Sequence, residues 1–316
     1  SRGVPLLDAP MQWRFDLRPA WRFAEMFRDG GYELVHTLTP RSALIGGLAA
    51  RRAGVPFVHH IHSPTARDST NWLRNWLNAR SERFSIDRAA RLIPVSPSLR
   101  DQVTAGRFSS EQVTYVANGV PGVTFDATRR PPEGVWTLGT VALIRPRKGI
   151  EILLEALANR REAGDNVRLR AVGPFETTEY ERGVKGLVRR LHLEDAIDWT
   201  GFTDDVQAEL KKIDLFVLPS LFGEGLPMVV LEAMAAGVPC VAIDCESGPR
   251  TIISHQQNGL LVDPSIDALA DGIKQMCDSE HDRRRMGQSG RDVSARFSWN
   301  KMVDAYEALL KEVSGC

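Results

Sequence analysis

The stretch DLFVLPSLFGEGLPMVVLEAMAAGVPCVAI, residues 214–243, places a helical segment between two apolar runs of strand length. The first run, 214–219, leads into a glycine-bearing loop. Leu226-Pro227 then begin a helix that Gly237 ends, because proline is favoured in the first turn of a helix and glycine just past its last turn. A second apolar run, 238–243, follows directly. Strand, loop, helix and strand in this order indicate a parallel α/β sheet covered on both faces.

The same alternation continues on both sides of this unit. It predicts strands at 33–38, 56–61, 91–95, 113–117, 137–144, 167–173, 196–201, 214–219, 238–243 and 259–262, and helices at 41–53, 69–89, 97–105, 149–163, 178–191, 204–212, 226–236 and 265–278. Regular alternation of this kind is typical of doubly wound, Rossmann-like folds.

The chain is predicted to form two domains, because its 316 residues exceed the roughly 250–300 residues that one hydrophobic core supports. Residues 119–135 are rich in Gly and Pro and have no apolar period, so they are the predicted linker. A front domain then covers 1–118, a back domain 136–296, and an amphipathic last helix lies within 297–316. Since ligands of such sheets bind at the carboxyl ends of the strands, the site is expected in the cleft between the domains.

The charge of the chain is unevenly distributed. Residues 1–118 contain 16 arginines and no lysine against 10 acidic residues, which leaves +6 in this part and −6 in the remainder. A basic domain is attracted to anionic membrane surfaces or to phosphorylated acceptors, and solvated arginines on ordinary helix faces are the alternative. The segment 13–28 mixes Trp, Phe and Arg, which suits either a membrane-surface helix or a buried helix with exposed arginines.

Motifs that the sequence lacks indicate the cellular compartment of the protein and exclude several classes of enzyme. The four cysteines form no C-x-x-C pair, which favours a reducing cytoplasm over a disulfide framework or a zinc site. No apolar stretch approaches the roughly 20 residues that cross a bilayer. Neither a dinucleotide-binding G-x-G-x-x-G after a strand nor a Walker G-x-x-x-x-G-K-[ST] is present, which argues against a dehydrogenase and a Walker-type ATPase.

Two carboxylates mark the loop and helix of the opening stretch. Glu224 lies on the loop, and Glu232 lies about one and a half turns into the predicted helix. A carboxylate binds diols by accepting hydrogen bonds, and the amino end of the helix at 226–228 offers backbone N–H groups to a diphosphate. The alternative is that Glu224 caps the helix and Glu232 is solvated.

These glutamates resemble the E-x7-E signature of glycosyltransferase family 4, whose members have the GT-B fold. The resemblance extends over nearly the whole chain. In the back half it is carried by 141–157, 171–175, 200–220 and 258–264, and in the front half by 32–50, 59–63, 94–101 and 115–120.

The resemblance implies a GT-B protein with two Rossmann-like domains that moves a sugar from a nucleotide diphosphate donor to an acceptor hydroxyl with retention at the anomeric carbon. Glu224 would orient the sugar hydroxyls and Glu232 the ribose. Lys148 and Arg145 would pair with the diphosphate, and His62 would approach from the acceptor side. Further donor contacts are implied for Gly173, Thr200, Gly201, Phe202, Gly225, Leu226, Pro227 and Met228. No metal or other cofactor is expected, and the acceptor would be a sugar or a lipid-linked sugar of the cell envelope, met at the inner face of the membrane.

The chain departs from the family in two places. Leu143 stands where the family has an arginine five residues before the lysine, so Arg145 is the candidate replacement, and a solvated turn is the alternative for Arg145, Arg147 and Lys148. The strand and glycine loop that open the family's front domain have no counterpart, so this domain is expected to be incomplete. A donor-binding homologue without turnover is therefore one alternative function, and a nucleotide-sugar 2-epimerase, which shares the architecture, is the other.

The run HHIH, 59–62, resembles a metal cluster at first sight. Alternation along a strand sends His59 to one face and His60 and His62 to the other, which argues against a shared metal ion.

Overall fold

The computed structural model describes residues 5–8, 10–13, 16–63, 72–106, 108–122, 132, 134–245 and 247–315. The chain divides into two compact units. The first comprises 1–116 and 305–316, and the second comprises 117–304. Both are α/β structures with parallel sheets, as the alternation of the sequence predicts.

The first unit is built on a short parallel sheet. Its strands are β1 (Val35–Thr37), β2 (Phe57–Ile61) and β3 (Arg91–Pro94), and its helices are α1 (Arg18–Asp29), α2 (Pro40–Ala53), α3 (Trp72–Ile86) and α4 (Pro97–Thr104). The described strands pair in the order β1-β2-β3. The predicted helix at 69–89 is confirmed over its described part, and residues 69–71 lie outside the described residues.

Helix α1 uses its apolar face for packing within the first unit. Ala20 and Ala24 are buried against α2, where they meet Ile45 and Ala49, and Phe23 packs against the same cluster. Of the two interpretations of segment 13–28, the described part therefore supports a buried helix whose arginines face solvent.

The strand predicted at 113–117 is wrong. In the described stretch 108–122 this segment makes a single parallel bridge, between Val113 and Leu92. The backbone N–H groups of Thr114 and Val116 donate to the carbonyls of Leu92 and Pro94. Because Pro94 has no N–H to return a bond, the ladder does not develop into a strand.

The second unit carries a six-stranded parallel sheet. Its strands are β4 (Trp136–Val141), β5 (Val167–Val172), β6 (Ile197–Gly201), β7 (Leu215–Leu218), β8 (Cys240–Ile243) and β9 (Leu260–Val262). Its helices are α5 (Ile150–Glu162), α6 (Thr178–Arg190), α7 (Val206–Leu210), α8 (Met228–Ala235), α9 (Ser247–Ile252), α10 (Ile266–Asp278) and α11 (Glu280–Ser294), and the last helix, α12 (Trp299–Ser314), runs from this unit into the first.

The order of strands in the larger sheet creates a topological switch point. The order is β6-β5-β4-β7-β8-β9, so the chain moves outward from β4 through β5 to β6 and then returns to place β7 on the other side of β4. Loops that leave β4 and β7 therefore diverge at the same edge of the sheet. Such crevices at carboxyl ends are where doubly wound sheets bind ligands.

Helices α9 and α11 lie outside all the predicted helices. Helix α11 contains Gly287 and Gly290, which weaken a helix in isolation by about 1 kcal/mol each. Packing against the α8 region accounts for them, because a Cβ on Gly287 would lie 3.1 Å from the Gly237 carbonyl oxygen and one on Gly290 3.1 Å from Met234. Tertiary contact therefore overrides local propensity here.

Most of the predicted linker, 123–131 and 133, lies outside the described residues. Its beginning is ordered against the end of the second unit. The N–H of Val120 donates to the carbonyl of Phe297 at 2.7 Å, and the N–H of Trp299 donates to the carbonyl of Val120 at 3.2 Å.

Candidate functional site

Two turns meet at the switch point of the larger sheet. After β4 the chain forms a short 3-10 turn, Pro146–Lys148, and after β7 it enters the loop 219–227. The N–H of Leu221 donates to the carbonyl of Arg147 at 2.9 Å. Gly149 ends the turn with φ +65°, and a Cβ there would lie 2.1 Å from the Pro219 carbonyl oxygen. Only glycine therefore permits this approach of the two backbones.

The contact between the two turns brings Lys148 onto Glu224. Lys148 Nζ donates to Glu224 Oε1 at 2.5 Å, and the Ser220 hydroxyl donates to the same oxygen at 2.6 Å. Glu224 is 8% exposed and Ser220 is fully buried. The sequence placed Lys148 and Glu224 in one site without predicting that they pair with each other.

The charge of Glu224 is maintained by these neighbours. Burial by itself raises the pKa of this carboxyl, but the Lys148 ammonium, the hydrogen bonds from Lys148 and Ser220, and the Arg147 guanidinium outweigh it and hold the pKa below its ordinary value. Glu224 is therefore a carboxylate at neutral pH, held in a largely dehydrated position.

Two arginines flank the pair. Arg147 Nη1 donates to the carbonyls of Phe222 and Gly223 at 3.3 Å each, and the same atom lies 3.9 Å from Glu224 Oε1. Arg145 Nη1 lies 3.5 Å from Glu176 Oε1. The 3-10 turn and the residue before it thus carry three cationic side chains near the carboxyl end of β4, which suits an anionic ligand.

Helix α8 begins at Met228, two residues later than predicted. Pro227 is its N-cap with φ −74° and ψ 89°, and its carbonyl accepts from the N–H of Val230 at 3.0 Å. Gly237, with φ +70°, follows the helix as predicted. The structure thus places Gly225 and Leu226 in the loop between Glu224 and the first helical turn.

Glu232 lies on the second turn of α8 and is half-buried. Burial raises its pKa above the ordinary value. Among the described residues, no donor or cation contacts its carboxylate. A half-buried carboxylate of this kind is stabilised when a ligand donates hydrogen bonds to it.

The remaining predicted donor contacts lie at the carboxyl ends of β5 and β6. The N–H of Gly173 donates to the carbonyl of Gly201 at 2.8 Å, and this hydrogen bond holds the carboxyl ends of β5 and β6 together. The Thr200 hydroxyl oxygen is buried and has no hydrogen-bond partner in the part of the chain that is described. Phe202 is 74% exposed. These residues share the sheet edge with Lys148 and Glu224.

His62 belongs to the first unit, where its ring contacts that of the buried His60, with centroids 3.9 Å apart and planes tilted by 42°. The Tyr306 hydroxyl of α12 lies 2.8 Å from His60 Nδ1, and burial, followed by the neighbouring histidines, lowers the pKa of His60 to about 2. His59 points to the opposite face, where Thr37 Oγ1 lies 2.9 Å from its Nδ1. The predicted alternation is confirmed, and within the described residues no group of three potential ligands is arranged for a metal ion.

Four residues that contact the predicted site residues received no site role from the sequence: Ser220, Arg147, Glu176 and Gly248. Ser220 follows the carboxyl end of β7, a position that could have marked it as a site residue. A Cβ on Gly248 would lie 2.1 Å from the Glu224 carbonyl oxygen, so only glycine lets α9 pack this closely against the backbone of the loop. That approach has no local signal in the sequence.

Comparison with known proteins fits this geometry. Residues 124–293 match the model of glycosyl transferases group 1, and residues 1–119 match a glycosyl transferase 4-like domain. The chain is 27% identical to a phosphatidyl-myo-inositol mannosyltransferase of Mycobacterium leprae over 95% of its own length and 79% of that protein. It is 34% identical to an exopolysaccharide phosphotransferase of Streptomyces coelicolor over 53% of its own length, and spans 18% of that protein's length.

The fold has a close counterpart among solved structures. HepE of Anabaena, in complex with UDP and glucose, superposes with a TM-score of 0.82 at 20% identity, covering 95% of this chain and 82% of that one. The chain therefore belongs to the glycosyl transferases group 1 and has the GT-B fold. It is a glycosyltransferase, as the E-x7-E resemblance predicted.

No helix in the described parts of the chain is both long and apolar enough to cross a membrane.

Proposed function

We propose that this glycosyltransferase moves a sugar from a nucleotide diphosphate donor to an acceptor hydroxyl with retention at the anomeric carbon. The observation that carries the proposal is the meeting of Lys148 and Glu224, which reach one point from the loops after β4 and β7. A cation for the diphosphate and a carboxylate for the sugar hydroxyls are then supplied at the switch point of the sheet.

Lys148 and Arg145 would bind the diphosphate and stabilise the negative charge that grows on it as the glycosidic bond breaks. Lys148 is bonded to Glu224 and Arg145 lies beside Glu176, so both cations are held at the β4 turn. The complex of HepE with UDP and glucose supports a nucleotide-linked donor. The proposal assigns charge neutralisation to these side chains and the amino end of α8 at Leu226, Pro227 and Met228.

The two glutamates would divide the donor between them. Glu224 would accept hydrogen bonds from the sugar and Glu232 from the ribose. The pKa of Glu232 is raised because its half-buried carboxylate has lost water, and two ribose hydroxyls would replace that lost hydration. Gly173, Thr200, Gly201 and Phe202 would border the nucleotide, and His62 would serve the acceptor side as a neutral imidazole.

A contact with an anionic membrane surface is part of the proposal, and α3 carries the features that favour it. Trp76 is 51% exposed, Leu77 38% and Phe84 69%, and these side chains follow one stripe of the helix. Arg80 and Arg83 are exposed on the same stripe, and the Arg80 guanidinium lies 5.4 Å from the Trp76 ring. Exposed aromatics between arginines, on a domain with a balance of +6, suit the headgroup region of anionic lipids. The acceptor would then be a lipid-linked sugar or glycolipid at the inner face of the membrane.

Donor binding and turnover test the proposal separately. Calorimetry with UDP-, GDP- and ADP-sugars should identify a donor, and Glu232→Gln should weaken its binding about tenfold, which is the loss of one good hydrogen bond to a charged group. Glu194→Gln, an exposed carboxylate of the same unit, is the matched control and should bind normally. Equal affinity in both variants would remove Glu232 from the ribose.

Product analysis distinguishes the three functions. Transfer of the sugar to an added acceptor supports a transferase, and the configuration of the new anomeric centre tests retention. A donor converted to its epimer without an acceptor would indicate a 2-epimerase, and a bound donor that is never consumed would indicate a homologue without turnover.

Membrane contact is tested by sedimentation with vesicles of phosphatidylglycerol and phosphatidylcholine. The double variant Trp76→Ser, Phe84→Ser should lower binding to the anionic vesicles at least tenfold, because each aromatic contributes about 1.5–3 kcal/mol when buried. Trp21→Ser, on the exposed side of α1, is the matched control. If only the Trp21 variant loses binding, the contact lies on α1 and not on α3.

A further inference from the structure

The Glu224 carboxylate is bonded asymmetrically. Ser220 and Lys148 both donate to Oε1, at 2.6 Å and 2.5 Å, and Arg147 Nη1 lies 3.9 Å from the same oxygen. Among the described residues, no side chain or backbone group donates a hydrogen bond to Oε2. One oxygen is therefore held by the protein, and the other is left to accept hydrogen bonds from a ligand.

We propose that Ser220 is a positioning residue that holds Glu224 by Oε1 and so presents Oε2 to the donor sugar. The proposal rests on the function proposed above, in which Glu224 receives the sugar hydroxyls. It assigns a role to a side chain that itself touches no part of the donor.

Ser220 is suited to this role because it does not depend on the ligand. It is fully buried at the carboxyl end of β7, in the residue after Pro219, whose carbonyl packs against Gly149. A serine hydroxyl has one proton to donate, and that proton is committed to Oε1.

Lys148 differs from Ser220 in this respect. Its side chain is 18% exposed, and in the proposed function its ammonium turns toward the diphosphate. When Lys148 shares its hydrogen bonds with phosphate, the bond from Ser220 remains the fixed attachment of Glu224. Ser220 therefore keeps the carboxylate oriented and ionised at the stage when the sugar is bound.

The loop around Glu224 limits where the carboxylate can move. Arg147 donates to the carbonyls of Phe222 and Gly223, and Gly248 lies directly against the Glu224 carbonyl. With its backbone fixed on both sides, the orientation of Glu224 is set by its side-chain donors. Removal of the Ser220 hydroxyl should therefore change the orientation and pKa of the Glu224 carboxylate and leave the loop conformation unchanged.

Carbon-detected NMR titration of the Glu224 side chain tests the arrangement in the full chain without donor. In the wild type the Glu224 carboxyl should titrate below the ordinary glutamate range, as burial is outweighed by its donors. In Ser220→Ala its pKa should rise, and in Ser220→Thr, which keeps the hydroxyl, it should return toward the wild-type value. An unchanged titration in Ser220→Ala overturns the proposal.

Kinetics provide the functional readout. Ser220→Ala should lower kcat/KM about tenfold or more, the effect of losing a hydrogen bond to a charged group, and should move the acidic limb of the pH profile to higher pH. Ser220→Thr should restore both. A lower kcat/KM with an unmoved acidic limb would mean a merely structural effect and would overturn the proposal.

Two results would need a second measurement: a Ser220→Ala variant that does not fold, and a wild type that transfers no sugar. If Ser220→Ala does not fold, Ser220→Cys, a weaker donor of similar shape, should give an intermediate shift in the same titration, and no shift there overturns the proposal. If the wild type transfers no sugar, the proposed function fails, while the titration still decides whether Ser220 controls Glu224.

Discussion

The substitution Lys148→Met tests the electrostatics of the site most directly. It removes the ammonium 2.5 Å from Glu224 Oε1 and leaves a carboxylate that is 8% exposed. Removal of one partner of a buried ion pair costs about 3–5 kcal/mol. Because Ser220 still donates to Glu224 and Arg147 lies 3.9 Å away, we expect a loss at the lower end, about 3 kcal/mol at neutral pH.

The pH dependence of this loss has a definite sign. In the wild type the folded-state pKa of Glu224 is below its unfolded value of 4.5, so the group stabilises the fold above pH 4.5 and this contribution is lost as the pH falls through the folded pKa. In Lys148→Met the burial of the carboxyl should dominate and raise its pKa above the unfolded value. Stability should then decrease as the pH rises from about 4.5 to 7, opposite to the wild type.

Calorimetric unfolding at a series of pH values measures the effect. A loss of about 3 kcal/mol corresponds to a Tm lower by about 6–12 °C for a unit of this size. Lys211→Met, an exposed lysine of the same unit, should change stability by less than about 0.5 kcal/mol. Adding Glu224→Gln to Lys148→Met should recover much of the loss, because no charge is then left unpaired. Identical pH profiles for the Lys148 and Lys211 variants would refute the buried ion pair.

Three further predictions concern catalysis, the β4 turn and the first unit. Lys148→Ala should reduce kcat more than donor affinity, because charge on the diphosphate grows in the transition state; a purely weaker donor affinity by calorimetry would contradict this. Gly149→Ala should cost at least about 2 kcal/mol in urea unfolding, since its Cβ meets the Pro219 carbonyl at 2.1 Å, whereas Gly164→Ala, also at positive φ but in open space, should cost less. Since burial lowers the pKa of His60 to about 2, the free energy of unfolding should fall below pH about 6.5, by up to about 1.4 kcal/mol per pH unit from this group. His60→Phe should make the slope shallower by this contribution and leave those of His36 and His62, whose pKa values burial also lowers. The exposed His281→Phe should leave the slope unchanged, and equal slopes in the two variants would contradict the assignment.

The fold was largely predictable because its signals are local. The run 214–243 carries a strand, a glycine loop, a helix and a strand within one unit, and the structure has β7, α8 and β8 there. The E-x7-E spacing likewise identified the family, which the family models confirm. The predicted boundaries of helices and strands were less accurate. The strand predicted at 113–117 was wrong, because Pro94 on the neighbouring strand has no N–H to complete the hydrogen-bond ladder.

The chemistry of the site depends on contacts between distant parts of the chain. Lys148 and Glu224 are 76 residues apart, and they meet because β7 is inserted beside β4 in the sheet, an order that no local pattern encodes. Ser220, Arg147 and Gly248 acquire their roles only from that arrangement. Residue patterns along the chain therefore predicted the fold class, and their resemblance to a known signature predicted the family and the two glutamates. The pairing of Glu224 with Lys148, the burial that makes the pair energetically important and the fixed oxygen of the carboxylate arise only when the crossovers of the sheet bring the loops together.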